Sequence, residues 1–597
     1  MYLNCKTYFS LKYGTFSTEQ LVKEGVEQNA SAMALTNINS TADAWPFYTL
    51  CKENNIKPVL GAEIRNGDKL LYILLAANNK GFEWINSFIS HYLRENKPFP
   101  VPESITSFFF NVSDGYIIYP LGAKTPDALQ RNELIGVKPG EVNKIFSIPA
   151  AQRNKLVIRQ PVTIQDDDRF YVHRLLRSMH HNVVESKLLL EAVCDPSERF
   201  LSQTEIIRVF KDHPAIITNT LKLLDDCNIE MDVKSPKNKK YFTTSEENDA
   251  KLLRKLTIDG LQQRYGRNKM AIARVENELK VINELRFTAY FLITWDIIRY
   301  AKSRSFYHVG RGSGANSIVA YCLKITDVDP LELNLYFERF LNPERTSPPD
   351  FDIDFSWLDR DEIIDYIFKR YGEQYVALMG AFVTFQERAV VRELGKVFGL
   401  PASEIEGVAA LPFVTANGWN AWQKLLSMPA SMDDYKKGVA HYDAQNMPVN
   451  YEAIINKLGR KYNLSEPEVA GLLQSPLGLG IIDEVIWKIL YYSPFIHNSP
   501  SHISIHAGGM LITEKSIHTY TATFYPPKGF PTTQIDMHIA EDMGLDKLDI
   551  LSQRGLGHIK ETVRLVYENR GIRLNIEEVD AFKKDPRVRT ELENVNT

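Results

Sequence analysis

Three aspartates alternate with aromatic and aliphatic residues in the segment Pro349–Phe355 (PDFDIDF). Successive side chains of a β-strand point to opposite faces, so this alternation predicts one acidic face and one face buried in a core. Three carboxylates at that spacing repel one another in a partly buried site unless cations lie between them. Aspartate oxygens are hard ligands that suit Mg²⁺, and two such ions can activate a hydroxyl and stabilise a leaving oxygen. The segment therefore predicts a catalytic strand that binds metal, with a solvated strand face as the alternative.

A second carboxylate segment, Gly544–Leu551 (GLDKLDIL), has the same period. Lys547 and Asp549 share one face of the predicted strand, whereas Leu548 and Ile550 point inward. Taken alone, this pattern equally describes an ordinary amphipathic strand.

A glycine-rich turn, Gly310–Ser317 (GRGSGANS), leads into a helix predicted over residues 315–323. Glycines allow the backbone to approach an oxyanion, and a helix N-terminus offers free N–H groups. Arg311 adds a cation and Ser313 a hydroxyl, but the turn has neither the Walker A lysine nor the third glycine of the dinucleotide fingerprint. A tight turn with a serine cap is the alternative. The nearby Phe337–Arg345 carries two arginines suited to forked phosphate contacts, so the whole set predicts metal-assisted phosphoryl or nucleotidyl transfer.

Composition narrows the class of protein. The chain has 597 residues, 44% of them hydrophobic, and a formal net charge of −4, which excludes a disordered chain and a basic coat for nucleic acid. At roughly 150 residues per domain it is expected to hold about four domains. Five scattered cysteines without a CxxC pair predict a reducing compartment. With no signal peptide at the start and no apolar run of membrane-spanning length, the expected location is the cytoplasm, without membrane association.

The order of predicted elements indicates an α/β architecture. Short apolar runs at 32–36, 70–76 and 156–159 alternate with helical stretches such as 18–29 and 43–54, which predicts an α/β layer or barrel extending to about residue 215. The polar, basic stretch 234–240 is interpreted as a linker, or alternatively as a basic loop that touches a phosphate backbone. Strands at 351–355, 502–513 and 545–551 flank a mostly helical region over 387–493. The sequence therefore predicts a helical subdomain inserted between two strand-bearing segments.

These motifs together resemble the α subunits of bacterial DNA polymerase III, the C-family replicative polymerases. The segments His308–Gly314, Phe337–Arg345 and Pro349–Phe355 are similar to the palm domain of that family. His506–Ile512 and Thr533–Asp536, followed by Lys547–Asp549, match its later palm segments in the same order. Several independent motifs in one order make the resemblance specific.

The resemblance implies an α/β multidomain fold. Residues 1–240 would form an α/β barrel similar to a polymerase and histidinol phosphatase (PHP) domain, and 241–385 with 500–560 a polymerase beta-like nucleotidyltransferase palm. Residues 386–499 would form a helical thumb and 561–597 the start of the fingers. In this family further domains follow the third palm aspartate, so the chain is expected to be a truncated form that holds the metal site but extends primers poorly or not at all.

The resemblance also implies a role for each candidate residue. The primer 3′-hydroxyl would attack the α-phosphate of a dNTP at two Mg²⁺ ions. The metal-binding and catalytic carboxylates would be Asp350, Asp352 and Asp549, with Asp354 as a neighbour. The nucleotide-binding residues would be Gly312, Ser313, Arg311, Arg339, Arg345 and Lys547. A basic stripe on one helix would contact duplex DNA, with a solvated helix face as the alternative: Arg388, Arg392 and Lys396.

The N-terminal region departs from the PHP pattern at its metal ligands. Asn4 and Lys6 stand where a His-x-His pair belongs, and Asn37-Ile38 replaces Asp-His. Pro161 and Thr163 occupy a later Asp-x-His position, and Glu63 alone survives of the ligands that can be placed. Asn, Lys and Ile cannot replace imidazole and carboxylate ligands, so the PHP metal site is predicted to be absent.

The expected function is that of a template-directed DNA polymerase in bacterial replication. Its expected partners are primer–template DNA and dNTPs, and in a longer form a sliding clamp and other replisome subunits. A non-catalytic DNA-binding or replisome scaffold and a PHP-type phosphoesterase are the alternatives. A metal role for the cluster His497, His502 and His506 is disfavoured, because no cysteine or carboxylate has matching spacing and the palm motif explains His506.

Overall fold

The computed structural model describes residues 1–105, 113–233, 235–342, 344, 350–409, 484–576 and 582–594. The chain forms two compact units. The first comprises Met1–Met231 with Phe382–Ser504, and the second comprises Asp232–Ala381 with Ile505–Thr597.

The first unit contains an eight-stranded mixed sheet. Its strands are β1 (Tyr2–Cys5), β2 (Ala32–Leu35), β3 (Lys57–Asn66), β4 (Lys69–Ala76), β5 (Gly115–Pro120), β6 (Glu133–Val137), β7 (Leu156–Ile158) and β8 (Pro161–Val162). They lie in the order β7-β6-β5-β4-β3-β2-β1-β8. The helices of this part are α1 (Thr18–Glu27), α2 (Ala44–Glu53), α3 (Asn79–Glu95), α4 (Asp167–His181), α5 (Gln203–Val209) and α6 (Pro214–Asp226). The alternation predicted from the apolar runs is confirmed, and the boundaries move by one or two residues.

The sheet is curled into a half-barrel. β7 and β8 lie at opposite ends of the strand order, yet only Arg159 and Gln160 separate them in the chain. Two linking residues span roughly 11 Å at most, so the end of β7 lies close to the start of β8. The predicted barrel is therefore a curled sheet.

A second layer of the first unit is helical. α12 (Glu387–Val397), α13 (Ala402–Ala409) and α14 (Glu484–Ile496) belong to this unit, and α12 and α14 pack on α4 through buried apolar side chains. Val390 and Leu394 of α12 and Ile489 of α14 are fully buried in that core. Most of the region predicted as a helical thumb, residues 410–483, lies outside the described residues.

The second unit is built on a seven-stranded sheet. Its strands are β9 (His308–Arg311), β10 (Asp352–Ser356), β11 (Val376–Thr384), β12 (Pro500–Ile512), β13 (Thr523–Phe524), β14 (Thr532–Thr533) and β15 (Leu548–Gln553), in the order β13-β14-β11-β12-β15-β10-β9. Its helices are α7 (Glu246–Tyr265), α8 (Lys269–Glu284), α9 (Thr288–Ser303), α10 (Ile318–Cys322), α11 (Arg360–Tyr371), α15 (Met537–Asp542), α16 (Arg554–Arg570) and α17 (Pro586–Glu593).

The stretch interpreted as a linker is instead part of the second unit. The Lys237 N–H donates to the Gly544 carbonyl and the Lys239 N–H to the Ile512 carbonyl, each at 2.9 Å. Between them, the Asn238 side chain makes two hydrogen bonds to the backbone of Asp546, at 2.6 and 2.7 Å. The linker interpretation was wrong. The polar composition suggested a linker, but the backbone of this segment is hydrogen-bonded to other segments of the second unit. These bonds anchor the chain that leads into β15.

Candidate active site

The predicted carboxylates meet on two neighbouring strands of the second unit's sheet, next to its edge strand β9. β10 and β15 are parallel neighbours, and Asp352 stands directly opposite Asp549 in their register. Asp350 lies two residues before Asp352, just ahead of the strand. One carboxylate oxygen from each of the three lies within 4.8 Å of the others. Two segments almost 200 residues apart in the chain therefore form one acidic cluster.

The opposite face of the same strands is core. Phe351, Ile353 and Ile550 are at most 1% exposed and belong to one apolar cluster. Tyr290 of α9 stacks on Phe351, and its hydroxyl accepts the Phe351 N–H at 2.9 Å. This bond holds the backbone between Asp350 and Asp352, so α9 positions the acidic face.

Lys547 bridges two of the carboxylates. Its Nζ lies 2.8 Å from Asp350 Oδ2 and also contacts Asp549 Oδ2. Burial by itself lowers the pKa of Lys547, but the two carboxylates outweigh it and raise that pKa. Lys547 is therefore a fixed cation at the edge of the cluster.

The donor set fits a divalent cation. The Oδ1 atoms of Asp350 and Asp549 are buried and have no hydrogen-bond partner within the described part of the chain. Burial, and then the neighbouring carboxylates, raise the pKa of Asp352, while Arg311 opposes that shift. Unpartnered carboxylate oxygens that face one another are stabilised by a hard cation with oxygen ligands. Asp350, Asp352 and Asp549 are the residues that can hold it.

The fourth aspartate is not part of this cluster. Asp354 is buried, and its carboxylate accepts from Arg311 Nε at 2.9 Å. Arg311 Nη1 also lies 3.4 Å from Asp352 Oδ2. The arginine of the glycine-rich turn therefore neutralises one side of the acidic face.

Gly312 has a steric reason to be glycine. Its φ is +71°, and a Cβ placed there would lie 2.6 Å from Asp352 Oδ2. The Ser313 hydroxyl makes no hydrogen bond to any residue that the structure describes, and the side chain is partly exposed. The turn therefore lies directly beside the acidic cluster, and its Ser313 hydroxyl makes no hydrogen bond to a described residue.

The helix after the turn does not supply an anion site, contrary to the expectation. α10 begins at Ile318 rather than 315, after a short 3₁₀ turn. The buried carboxylate of Glu278 accepts the N–H groups of Ile318 and Val319 at 3.1 and 3.2 Å and the hydroxyl of Ser317 at 2.8 Å. The donors predicted to face a phosphate are already satisfied by an acidic side chain from α8, which the local sequence does not reveal.

A buried arginine that the sequence did not single out also organises the site. Arg360 donates to the carbonyl of Ile550 at 2.9 Å and to that of Ala507 at 2.8 Å. It thereby ties β12 and β15 together beside Asp549. Its only sequence signal is its position at the start of the helix that follows the acidic strand.

The remaining predicted phosphate and DNA contacts are distributed differently. Arg339 is exposed on a 3₁₀ turn over Phe337–Arg339, and Arg345 lies outside the described residues. Arg388, Arg392 and Lys396 are exposed on one face of α12. Two of them already have carboxylate partners, because Arg392 forms two bonds of 2.9 Å with Glu406 and Lys396 lies 2.6 Å from Glu393. Their DNA-binding role stays a prediction.

Two of the three clustered histidines, His497 and His506, contact other residues of the fold. His506 Nδ1 accepts the N–H groups of Gly508 and Gly509 at 3.3 and 2.8 Å. His497 lies 3.3 Å from Glu387, and His502 is exposed. Among the described residues, the three aspartates are the one group with the spacing of a metal site.

The degenerate PHP positions are occupied by an internal ion pair. Lys6 Nζ lies 2.9 Å from Glu63 Oε2, and Asn4 Nδ2 donates to the same oxygen at 2.7 Å. Arg65 Nε donates to Glu63 Oε1 at 2.6 Å. Asn37, another replaced position, donates to the buried carboxylate of Asp43. A divalent cation does not fit beside an ammonium and a guanidinium, which supports the prediction that this metal site is absent.

Comparison with known families identifies both regions. Residues 251–552 match the family described as "Bacterial DNA polymerase III alpha NTPase domain". Residues 3–118 match the PHP domain. The first match covers half of the chain and includes all three clustered aspartates. No helix in the described ranges is long and apolar enough to cross a bilayer.

Curated relatives align along nearly all of the chain. The DNA polymerase III subunit alpha of Halalkalibacterium halodurans is 31% identical over 94% of this chain and 48% of its own length. The error-prone DNA polymerase of Symbiobacterium thermophilum is 28% identical over 95% and 52%. The DNA polymerase III subunit alpha of Escherichia coli K12 is 26% identical over 96% and 49%. The chain spans about half the length of these relatives.

Proposed function

The chain belongs to the bacterial DNA polymerase III alpha family, and from this premise we propose that it is a template-directed DNA polymerase. The reaction is nucleotidyl transfer from a dNTP to the 3′-hydroxyl of a primer, with release of pyrophosphate. The observation that carries the proposal is the pairing of Asp352 with Asp549 across β10 and β15, with an oxygen of Asp350 in the same cluster.

Asp350, Asp352 and Asp549 hold two Mg²⁺ ions in this proposal. When bound, two Mg²⁺ ions at this site would supply charge that lowers the pKa of a hydroxyl group and offsets negative charge on a triphosphate. The buried, unpartnered Oδ1 atoms of Asp350 and Asp549 are suited to this task, because carboxylate oxygens are preferred ligands of Mg²⁺.

Side chains around the cluster orient the incoming nucleotide. The Ser313 hydroxyl has no partner among the described residues and lies in the turn that contacts Asp352, so it is placed to donate to a phosphate oxygen. Lys547 and Arg311 keep their positive charge and limit the repulsion between the carboxylates and an anionic substrate. Gly312 lets the turn approach without displacing Asp352. We assign Arg339 and Arg345 to the triphosphate and Arg388, Arg392 and Lys396 to duplex DNA on family resemblance.

The domain assignment and the partners belong to the same proposal. We assign residues 1–231 to the PHP-like domain, 232–385 and 500–560 to the palm, 386–499 to the thumb and 561–597 to the start of the fingers. The first boundary moves from 240 to 231, because residues 232–240 belong to the second unit. The substrates are primer–template DNA and dNTPs, and the further partners are a sliding clamp and other replisome subunits.

A primer-extension assay tests the activity. The purified chain is incubated with a primed template and one dNTP at a time, in Mg²⁺ and in EDTA. We expect addition of the nucleotide complementary to the template, abolished by EDTA and restored by excess Mg²⁺. Addition without template preference, or addition that persists in EDTA, would contradict the proposal.

A further inference from the structure

The imidazole ring of His506 has a fixed tautomer. Its Nδ1 accepts the N–H groups of Gly508 and Gly509 at 3.3 and 2.8 Å, so Nδ1 carries no proton and the ring is neutral with its proton on Nε2. The ring is half-buried, and the Nε2–H group makes no hydrogen bond within the described part of the chain. A ring nitrogen that carries a proton cannot bind a metal ion. His506 therefore presents a hydrogen-bond donor.

Two glycines place this ring beside the acidic cluster. Gly509 stands directly opposite Asp549 in the register of β12 and β15. A Cβ at Gly509 would lie 2.9 Å from His506 Nδ1, and a Cβ at Gly508 would lie 3.5 Å from Asp549 Oδ1. Residues directly opposite each other in a sheet point to the same face, so the ring lies on the acidic face of β12, next to Asp549. The two glycines of this segment make room for it.

The backbone next to the ring is also held in place. Arg360 donates to the carbonyl of Ala507 at 2.8 Å and to that of Ile550 at 2.9 Å. The ring itself binds the two amide groups that follow Ala507. A donor whose ring orientation and backbone are both fixed by hydrogen bonds is pre-organised for a ligand.

The position of His506 relative to the glycine-rich turn points to the ligand. The strand order β12-β15-β10-β9 places His506 on one side of Asp549 and the turn that follows β9 on the other side. That turn, with Ser313, is the proposed site of the dNTP phosphates. The attacking and leaving oxygens of phosphoryl transfer lie roughly in line, so the primer 3′-hydroxyl approaches from the side away from the leaving pyrophosphate. The anionic group on the His506 side of the cluster is then a phosphodiester of the primer.

We propose that the Nε2–H group of His506 binds a phosphodiester near the primer 3′ end and positions that end beside Asp549. This inference rests on the proposed polymerase function. A neutral imidazole suits the task, because its hydrogen bond to an anionic phosphate oxygen is charge-assisted and adds no cation that would pair with the carboxylates. His506 is a positioning residue for the primer, with no part in metal binding.

Binding of a primed template in Mg²⁺, measured by fluorescence anisotropy on the full chain, tests the contact. His506→Asn keeps an acceptor for the glycine N–H groups but removes the distal donor, so we expect about tenfold weaker binding, as for a lost hydrogen bond to a charged group. His506→Gln extends an amide N–H₂ group towards the Nε2 position but loses the near acceptor, so we expect binding within about threefold of the wild type. His538→Asn, at an exposed histidine of α15, is the control and should bind like the wild type.

A purely structural role predicts the opposite order of the two variants. If His506 only held the glycine amides, His506→Gln would bind primed template more weakly than His506→Asn. That order, or equal binding by His506→Asn and the wild type, would overturn the proposal. If His506→Asn lacks the thermal unfolding transition of the wild type, His506→Gln decides alone, and a loss of about tenfold or more in that variant would overturn the proposal.

A neutral linkage in the primer identifies the phosphate. A methylphosphonate, which replaces one charged oxygen by a methyl group, is placed in turn at each of the last three linkages of the primer. At one of them we expect the wild type and His506→Asn to bind equally, because the variant and the linkage remove the same contact. An unchanged ratio between the two proteins at all three linkages would overturn the proposal, as would no binding of primed template by the wild type.

Single-nucleotide addition by the wild type, measured on the same primed template, reports the proposed function separately. Normal addition without any effect of the His506 variants on binding would refute only the His506 contact. A linkage-dependent effect of His506→Asn without any nucleotide addition by the wild type would support the contact and count against the polymerase proposal.

Discussion

At the scale of single residues, burial favours the neutral form of an ionisable side chain and requires its polar atoms to be hydrogen-bonded. His173 is fully buried, and both of its ring nitrogens are used. Its Nε2 accepts the Cys194 N–H at 2.9 Å, so the proton must lie on Nδ1, which donates to the Tyr13 carbonyl at 2.6 Å. Burial lowers the pKa of His173 to about 4. The ring therefore stays neutral in the folded protein at pH values where a free histidine is charged.

This pKa shift predicts acid sensitivity. The folded pKa is below the unfolded value of about 6.5, so the unfolded state binds the extra proton and stability is lost as pH falls from about 6.5 towards 4. Between pH 7 and pH 5 we expect His173 to account for a loss of about 2 kcal/mol in the free energy of unfolding. Urea unfolding of the wild type and His173→Gln at both pH values measures it. The variant should lack that part of the loss, and His91→Gln, at an exposed histidine, should retain it; equal pH dependence in the wild type and His173→Gln would refute the assignment.

Gly312 gives a second prediction at this scale. Gly312→Ala places a Cβ against Asp352 Oδ2, whereas Gly529→Ala introduces a Cβ at a similar φ of +77° with nothing within 4 Å. Both variants should lose about 1–2 kcal/mol of stability from the left-handed backbone. Only Gly312→Ala should also slow nucleotide addition, by about 10²-fold, because a carboxylate displaced by about 1 Å loses its alignment. Equal rates in the two variants would show that the contact with Asp352 does not matter.

At the scale of elements, the sequence indicated the strands of the site better than its helices. The aspartate alternation predicted the acidic strand, whose observed range starts one residue later at Asp352. The prediction of an anion site at the helix after the glycine-rich turn was wrong, because the N-terminus of that helix is capped by Glu278, about 40 residues upstream. The paired segment around Asn238 was missed for the same reason. Periodicity reports local structure, whereas these features depend on partners that are distant in the chain.

The Glu278 cap is expected to stabilise its helix strongly. Glu278→Gln removes the charge that accepts the N–H groups of Ile318 and Val319 and leaves an amide N–H₂ group facing donors. We expect a loss of about 2–3 kcal/mol in chemical denaturation, as for buried hydrogen bonds to a charged group. Glu284→Gln on the same helix, at an exposed residue 3.8 Å from Lys280, should change stability by less than about 0.5 kcal/mol. A Glu278→Gln variant as stable as Glu284→Gln would show that the cap contributes little.

At the scale of the whole molecule, the net charge of −4 averages over regions of different local charge. The site in the second unit has four aspartates against Lys547 and Arg311, which suits cations. A cavity at the ends of β1 and β3 in the first unit is lined by five cationic and five carboxylate side chains, so its charges balance. Composition could exclude classes of protein, and the order of motifs could indicate the family. Neither could reveal Arg360, since its role depends on the carbonyl groups of Ala507 and Ile550, which are distant in the chain.

The central claim is that Asp350, Asp352 and Asp549 form the metal site of a nucleotidyl transfer reaction. Single-nucleotide addition to a primed template by Asp352→Ala, beside DNA binding by the same variant, tests it most directly. Asp542→Asn, at an exposed aspartate of α15, is the control. The account predicts that Asp352→Ala binds primer–template like the wild type but adds nucleotide about 10³-fold or more slowly, since metal ions supply several kcal/mol of transition-state stabilisation. Near-normal addition by Asp352→Ala would contradict it.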